Sequence, residues 1–209
     1  MIWRTRARNS RRQRGQATVE LALVLPVYML LLLGMLEFGL AFDHLLSISY
    51  ASREGARVGA ALTNGGGTLG CSTGQSPNAA TVDPQIVAAV ERILTSPGSI
   101  VALNNVSQIR IYLATSTGAE TTGKVNIWTY SAGSGPVVDG SPLDFIASST
   151  PWQACSRSNA LPATSIGVSV VYTYAFSTPI GGIFALIGGN RPNSIPITDK
   201  TVMAMNPTQ

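Results

Sequence analysis

The uncharged run LALVLPVYMLLLLGML, Leu21 to Leu36, constrains this chain more than any other stretch. So dense an apolar segment has to leave water, either into a protein core or into a bilayer. As an α-helix its 16 residues reach roughly 24 Å at 1.5 Å per residue. A bilayer core needs about 20 residues. The span therefore extends past Glu20 or past Glu37, the latter through Phe38-Gly39-Leu40-Ala41-Phe42. One carboxylate then sits at an interface and the other lies within the apolar slab or at its edge. Pro26 inside the run predicts a kink or a local loosening, which neighbouring helices in a membrane can accommodate.

The flanks set the orientation. Arg4, Arg6, Arg8, Arg11, Arg12 and Arg14 carry six of the 14 basic residues. The eight that remain face ten acids, so the chain beyond residue 14 has a net charge of −2 although the whole is +4. A basic arm can bind nucleic acid, but one joined directly to an apolar run sets membrane orientation, N-terminus in and C-terminus out. No nucleic-acid partner is expected, and everything after about residue 45 is exported. The competing reading is a cleaved secretory signal peptide, with Gly39-Leu40-Ala41 as a weak cleavage site. Its apolar region would be unusually long, and the helical pattern continues beyond it.

That continuing pattern is built on small residues. Ala51, Gly55 and Gly59 recur every four positions and share one helix face, which a partner backbone can approach closely. Pro26 and Gly34 are the corresponding packing positions within the apolar run. Arg53 and Arg57 occupy a neighbouring face, and the turn-mate of Glu54 is Arg57 at i+3. An ordinary amphipathic helix with a solvated charged side fits these residues equally well. Asn64-Gly65-Gly66-Gly67 ends the helix. After a loop to about Thr81, Asp83 reads as an N-cap with Pro84 at the first helical position. Ile86, Val87, Val90, Ile93 and Leu94 then form an apolar stripe, predicting a helix over 84–96.

From there the period changes to two. Ile109, Ile111 and Leu113 alternate with Arg110 and Tyr112, and Val125 and Ile127 with Asn126, Trp128 and Tyr130. With 166–176 and 201–205 these segments predict three or four strands, antiparallel to one another. The stretch 178–189 is apolar and glycine-punctuated, readable as short helix or as loop, and at 12 residues too short to span. The fold class expected is α+β: a long N-terminal helix over about 17–62, a small helix, and an antiparallel sheet. It divides into a basic leader (1–15), a transmembrane and extended helix (16–62) and an exported domain (63–209).

Cys71 and Cys155 are the only cysteines. Both fall on the exported, oxidising side, which predicts one disulfide between them. Without clustered histidines they do not make a metal site, and no cofactor is expected. His44 is the single histidine. Its neighbour Asp43 is adjacent in sequence, and adjacent side chains do not face each other on a helix. No nucleophile elbow, zinc motif, phosphate loop or CxxC is present. Nothing argues for an enzyme.

Gly15 followed by Gln16-Ala17-Thr18-Val19-Glu20, behind a basic leader and before an apolar helix, resembles the processing site of type IV prepilins. In that class a membrane-embedded prepilin peptidase cuts after the glycine, and a glutamate stands at the fifth mature position, here Glu20. RGQATVELALVLP, Leu36-Glu37-Phe38-Gly39 and Ala51-Ser52-Arg53-Glu54-Gly55-Ala56-Arg57 together resemble the TadE-like family of tight-adherence pilus assembly, over residues 14–61. The resemblance implies a minor pilin or pseudopilin with one N-terminal membrane helix. It implies residence in the inner (cytoplasmic) membrane and, as partners, a prepilin peptidase, other pilins and the pilus assembly platform. Family charges then fall on Glu37, Arg53, Glu54 and Arg57. Cleavage would discard all six arginines and create an amine at Gln16, one helical turn from Glu20 on the same face. Glu20 could neutralise that amine in its own subunit or in a neighbour, or sit in the headgroup zone. Two other readings stay open: an uncleaved, anchored binding protein, and an anchored exported enzyme.

Overall fold

A computed structural model describes residues 10–62, 79–157, 164–179, 182 and 194–205. Helix α1 runs over Ser10–Ala61, with Pro26 inside it. Helix α2 covers Ala79–Leu94. Seven strands follow among the described residues: β1 Val106–Ala114, β2 Glu120–Tyr130, β3 Val137–Val138, β4 Ser141–Pro142, β5 Phe145–Ser149, β6 Ser165–Ala175 and β7 Ser194–Ala204. The α+β class and the order of long helix, small helix and antiparallel sheet are as the sequence indicates.

Five strands form one sheet in the order β5-β2-β1-β6-β7, and β3 pairs with β4 in a separate hairpin. Every pairing is antiparallel. The strand count exceeds the three or four expected. Strand β5 buries only Phe145 among its five residues, so its sequence carries no alternation to read. The β3–β4 hairpin turns on Asp139-Gly140, both at positive φ (51° and 84°). That dipeptide is a recognised hairpin signal between short apolar runs. Strand β7 starts at Ser194 rather than at 201, and all 11 of its residues pair with β6, from Ser165↔Ala204 to Ala175↔Ser194.

Contacts divide the chain into two units, Met1–Leu40 with Phe176–Asn193, and Ala41–Ala175 with Ser194–Gln209. In the second, the core lies where helix side chains meet one face of the sheet. From α1 come Ile48, Ala51 and Ala56; from α2, Val82, Ile86 and Val90; from the sheet, Ile109, Ile111, Ile166, Val168 and Val170. Period-two alternation explains the β6 contribution, since its even-numbered residues face the helices. In β2 the buried face belongs to Asn126 and Trp128, while Val125 and Ile127 are half-buried.

Helix α2 differs from its sequence reading at its start. It begins at Ala79, so Pro84 lies inside the helix and Asp83 is not its N-cap. The Asp83 carboxylate is engaged instead by Asn126 and Arg157, far along the chain. A cap reading weighs only local partners, and a tertiary one prevails here. Cys71 and nearly all of 178–189 lie outside the described residues, so the pairing of Cys71 and the helix-or-loop question concern parts not described.

Candidate functional site

Gly15, Gln16 and Glu20 all lie in α1 and are exposed. Helical spacing brings residues 16 and 20 onto one face, and the Gln16 side-chain amide donates from Nε2 to Glu20 Oε1 at 3.1 Å. No atom beyond its chain neighbours and the local helix backbone lies within 4 Å of where a Gly15 Cβ would stand. From Leu21 to Leu32 every residue is exposed, so apolar side chains face outward around the whole helix there. Leu21 is 61%, Leu23 71% and Met35 72% exposed. Pro26 is exposed and Gly34 half-buried in the same stretch. Among the described residues one helix, over Gly15–Ala61, is long and apolar enough to cross a membrane, with a mean hydropathy of 2.3 in its most apolar window.

Glu37 interrupts this pattern. It is buried (4% exposed) although Leu36 and Phe38 on either side are exposed. Its two carboxylate oxygens accept successive backbone N–H groups, from Ser177 at 2.9 Å and Thr178 at 2.8 Å. A carboxylate at the edge of an apolar segment is costly unless hydrogen-bonded, and these two amides, in the same unit, supply the bonds. So of the two carboxylates flanking the apolar run, Glu20 meets a side-chain amide and Glu37 the main chain.

Further along α1, His44 is buried between Tyr172 and Tyr174, with ring centroids 5.3 and 5.0 Å away. Ser52 is fully buried and faces β7. Its hydroxyl lies in a short contact with the Asp199 carboxylate, 2.9 Å from Thr201 Oγ1 and 3.1 Å from the carbonyl of Ser49. Asp199 and Thr201 alternate along β7, so both project to the same side of the sheet.

Ala51, Gly55 and Gly59 form one buried face. A Cβ added at Gly55 would lie 2.6 Å from Val90 Cγ2 and 3.1 Å from Val168 Cγ1. At Gly59 it would lie 2.7 Å from Ile166 Cδ1 and 3.0 Å from Ile86 Cδ1. Side chains of α2 and β6 thus fill the face from within the chain. The charged residues point away. Arg57 donates to both oxygens of Glu54, at 2.8 and 2.5 Å, and these bonds hold the Glu54 carboxyl below the usual carboxylate range. Arg53 is exposed and makes no ion pair among the described residues.

A second polar cluster, not read from the sequence, staples α2 to the sheet. Arg157 is buried (1% exposed), 2.6 Å from Asp83 through Nη1, with its guanidinium 4.3 Å from the Trp152 ring centre. Asn126 donates from Nδ2 to Asp83 at 2.6 Å and to the Trp152 carbonyl at 2.7 Å, and its Oδ1 accepts the Trp152 N–H at 2.8 Å. Cys155 sits in the 3-10 turn Ala154–Ser156 between these anchors. The available signal was Asn126 itself, sharing a strand face with Trp128. A neighbouring open pocket of about 410 Å³ includes Asp83, Asn126, Trp128 and Cys155 in its lining. Asp83 is already engaged there, and no nucleophile–base pair converges on it. Among the described residues no cluster of His, Cys, Asp and Glu could hold a metal ion.

Fold and site together define a protein with one long apolar N-terminal helix whose far half belongs to an α+β domain. A family model described as "TadE-like protein" matches residues 15–57 of that helix, starting at Gly15 and ending at Arg57. No curated protein and no solved structure gives a significant match.

Proposed function

We propose that the chain is a structural or assembly subunit, a minor pilin or pseudopilin, of a tight-adherence (Tad) type IV pilus or secretion apparatus. The observation that carries this reading is the TadE-like match over residues 15–57, which takes in the exposed apolar part of α1 and continues into its buried part. In this reading α1 anchors the chain in the inner membrane with its N-terminus cytoplasmic, and the α+β domain is exported. A prepilin peptidase cuts after Gly15 and removes the arginine leader. The new Gln16 amine meets the Glu20 carboxylate one turn along, where the helix macrodipole also favours an anion. Other pilins and the assembly platform are the partners, and the chain acts as a packing element rather than as an enzyme. Cys155 pairs with Cys71 and ties the chain at residue 71 to the Asp83–Arg157 staple.

Mass spectrometry of membrane-extracted protein tests the reading. A mature N-terminus at Gln16 supports it, and one near residue 42 would sink it. A second reading, an uncleaved anchor presenting a binding domain, draws on α1 being helical on both sides of Gly15. It requires an intact Met1 start and full activity when Gly15 is replaced.

A further inference from the structure

We infer that mature Gln16 is a modification site, at which the new N-terminus closes on its own side chain to a pyroglutamyl lactam with Glu20 as the general acid–base. The inference rests on the proposed cut after Gly15 and goes one chemical step beyond it. In the uncut chain the Gln16 nitrogen is an amide inside α1 and is not nucleophilic. Cutting turns it into a primary amine on the residue whose side-chain amide already touches Glu20, Nε2 to Oε1 at 3.1 Å. Amine, amide carbon and carboxylate are then gathered on one exposed helical turn, and closing a five-membered ring needs no second molecule.

The step balances without a co-reactant. The ammonium first gives a proton to water. The neutral amine attacks Cδ and forms the ring C–N bond. Glu20 takes one proton from the attacking nitrogen and returns it to Nε2, the Cδ–Nε2 bond breaks, and ammonia leaves. Glu20 ends as the carboxylate it began as. It touches the leaving nitrogen itself, as a general acid must.

The consequence bears on the membrane. A neutral lactam removes the cost of bringing an N-terminal ammonium into an apolar assembly, and Glu20, losing that cation, is then placed most cheaply in the headgroup zone. The Glu20–amine pair is then the state that follows cutting, and the lactam its product.

The test uses the full-length chain in membrane vesicles, cut by adding a prepilin peptidase, with the N-terminal peptide followed over time by mass spectrometry. The expected result is a peptide starting at Gln16 that becomes lighter by one ammonia. In Glu20→Ala the conversion slows by roughly a hundred-fold or more, a general acid–base effect. Two masses separate the steps. A Gln16 start that keeps its full mass overturns the lactam and leaves the cut standing. A Met1 start overturns the cut, and the lactam with it. Equal conversion rates in both chains overturn the role of Glu20.

Discussion

The carboxylate of Glu37 accepts the backbone N–H of Thr178 at 2.8 Å across 141 positions of chain. Its other oxygen accepts the N–H of Ser177. A carboxylate bound in this way is an anchor for the main chain leaving β6. Glu37→Ala takes the acceptor from one exposed and one half-buried donor, Ser177 and Thr178, and is expected to cost about 1–2 kcal/mol. Glu37→Gln keeps one acceptor oxygen and is expected to cost about half of that. Hydrogen exchange in detergent checks this directly: the Ser177 and Thr178 amides should exchange faster in both variants, and more so in Glu37→Ala. Unchanged protection would show that the bonds hold nothing in place.

Arg157 and Asp83 make the corresponding anchor for α2. Replacing either alone leaves a buried charge without its partner, and about 3–5 kcal/mol is the expected loss. Removing both charges together, as Asp83→Leu with Arg157→Met, should recover a large part of that loss, because the desolvation cost of both ions disappears. Asn126 limits the recovery, since its Nδ2 would keep only the Trp152 carbonyl. Denaturant unfolding of the four chains in a double-mutant cycle gives the coupling. Additive losses would mean that the pair does not act as a unit.

These two anchors also mark where sequence reading stops. Helix α1 was legible because an unbroken apolar run and small residues four apart are local signals. Strands β1, β2 and β6 were legible because alternation is local too. Asp83 looked like a cap because its true partners, Asn126 and Arg157, come from other elements. The charge at Glu37 was legible as an anomaly near an apolar span, but the amides that stabilise it lie about 140 residues away. Strand β5, with one buried residue, had no period to show, whereas the Asp139-Gly140 turn was present in the sequence and carried a readable hairpin signal.

Stability should fall on acidification. Arg110 donates to both oxygens of Glu120, at 2.8 and 2.6 Å, and these bonds lower the Glu120 carboxyl from its ordinary value, as Arg57 does for Glu54. A lowered folded value means that the unfolded chain takes up protons which the folded chain refuses. The stabilisation is therefore present above the ordinary carboxylate value of 4.5 and is lost as pH falls through the lower folded one. Glu91 has the opposite sign. Burial raises its carboxyl, so its contribution is present at low pH and is lost as pH rises through the raised value. Unfolding measured from acid to neutral pH should show Glu120→Gln flattening the acid limb. Glu91→Gln should be neutral or slightly stabilising at neutral pH, its amide oxygen still accepting the Asp144 N–H. A steeper acid limb in Glu120→Gln would contradict the assignment. The Glu54–Arg57 pair is more exposed and adds little.

Two glycines of α1 separate a packing role from a helix-propensity role. At Gly55 an added methyl meets Val90 at 2.6 Å, whereas at Gly39 nothing lies within 4 Å. Gly55→Ala should therefore force Val90 or Val168 to move, at about 1–3 kcal/mol for overpacking. Helix propensity returns about 1 kcal/mol in both variants. Gly39→Ala, with no clash to offset that gain, should be neutral or stabilising. Adding Val90→Ala to Gly55→Ala opens space beside the new methyl and should relieve the clash, giving a non-additive pair. Thermal unfolding of the full chain in detergent distinguishes the cases. Gly55→Ala more stable than the parent would show that this face is loosely packed and available to a partner helix, which is the other way a stripe of small residues can be used.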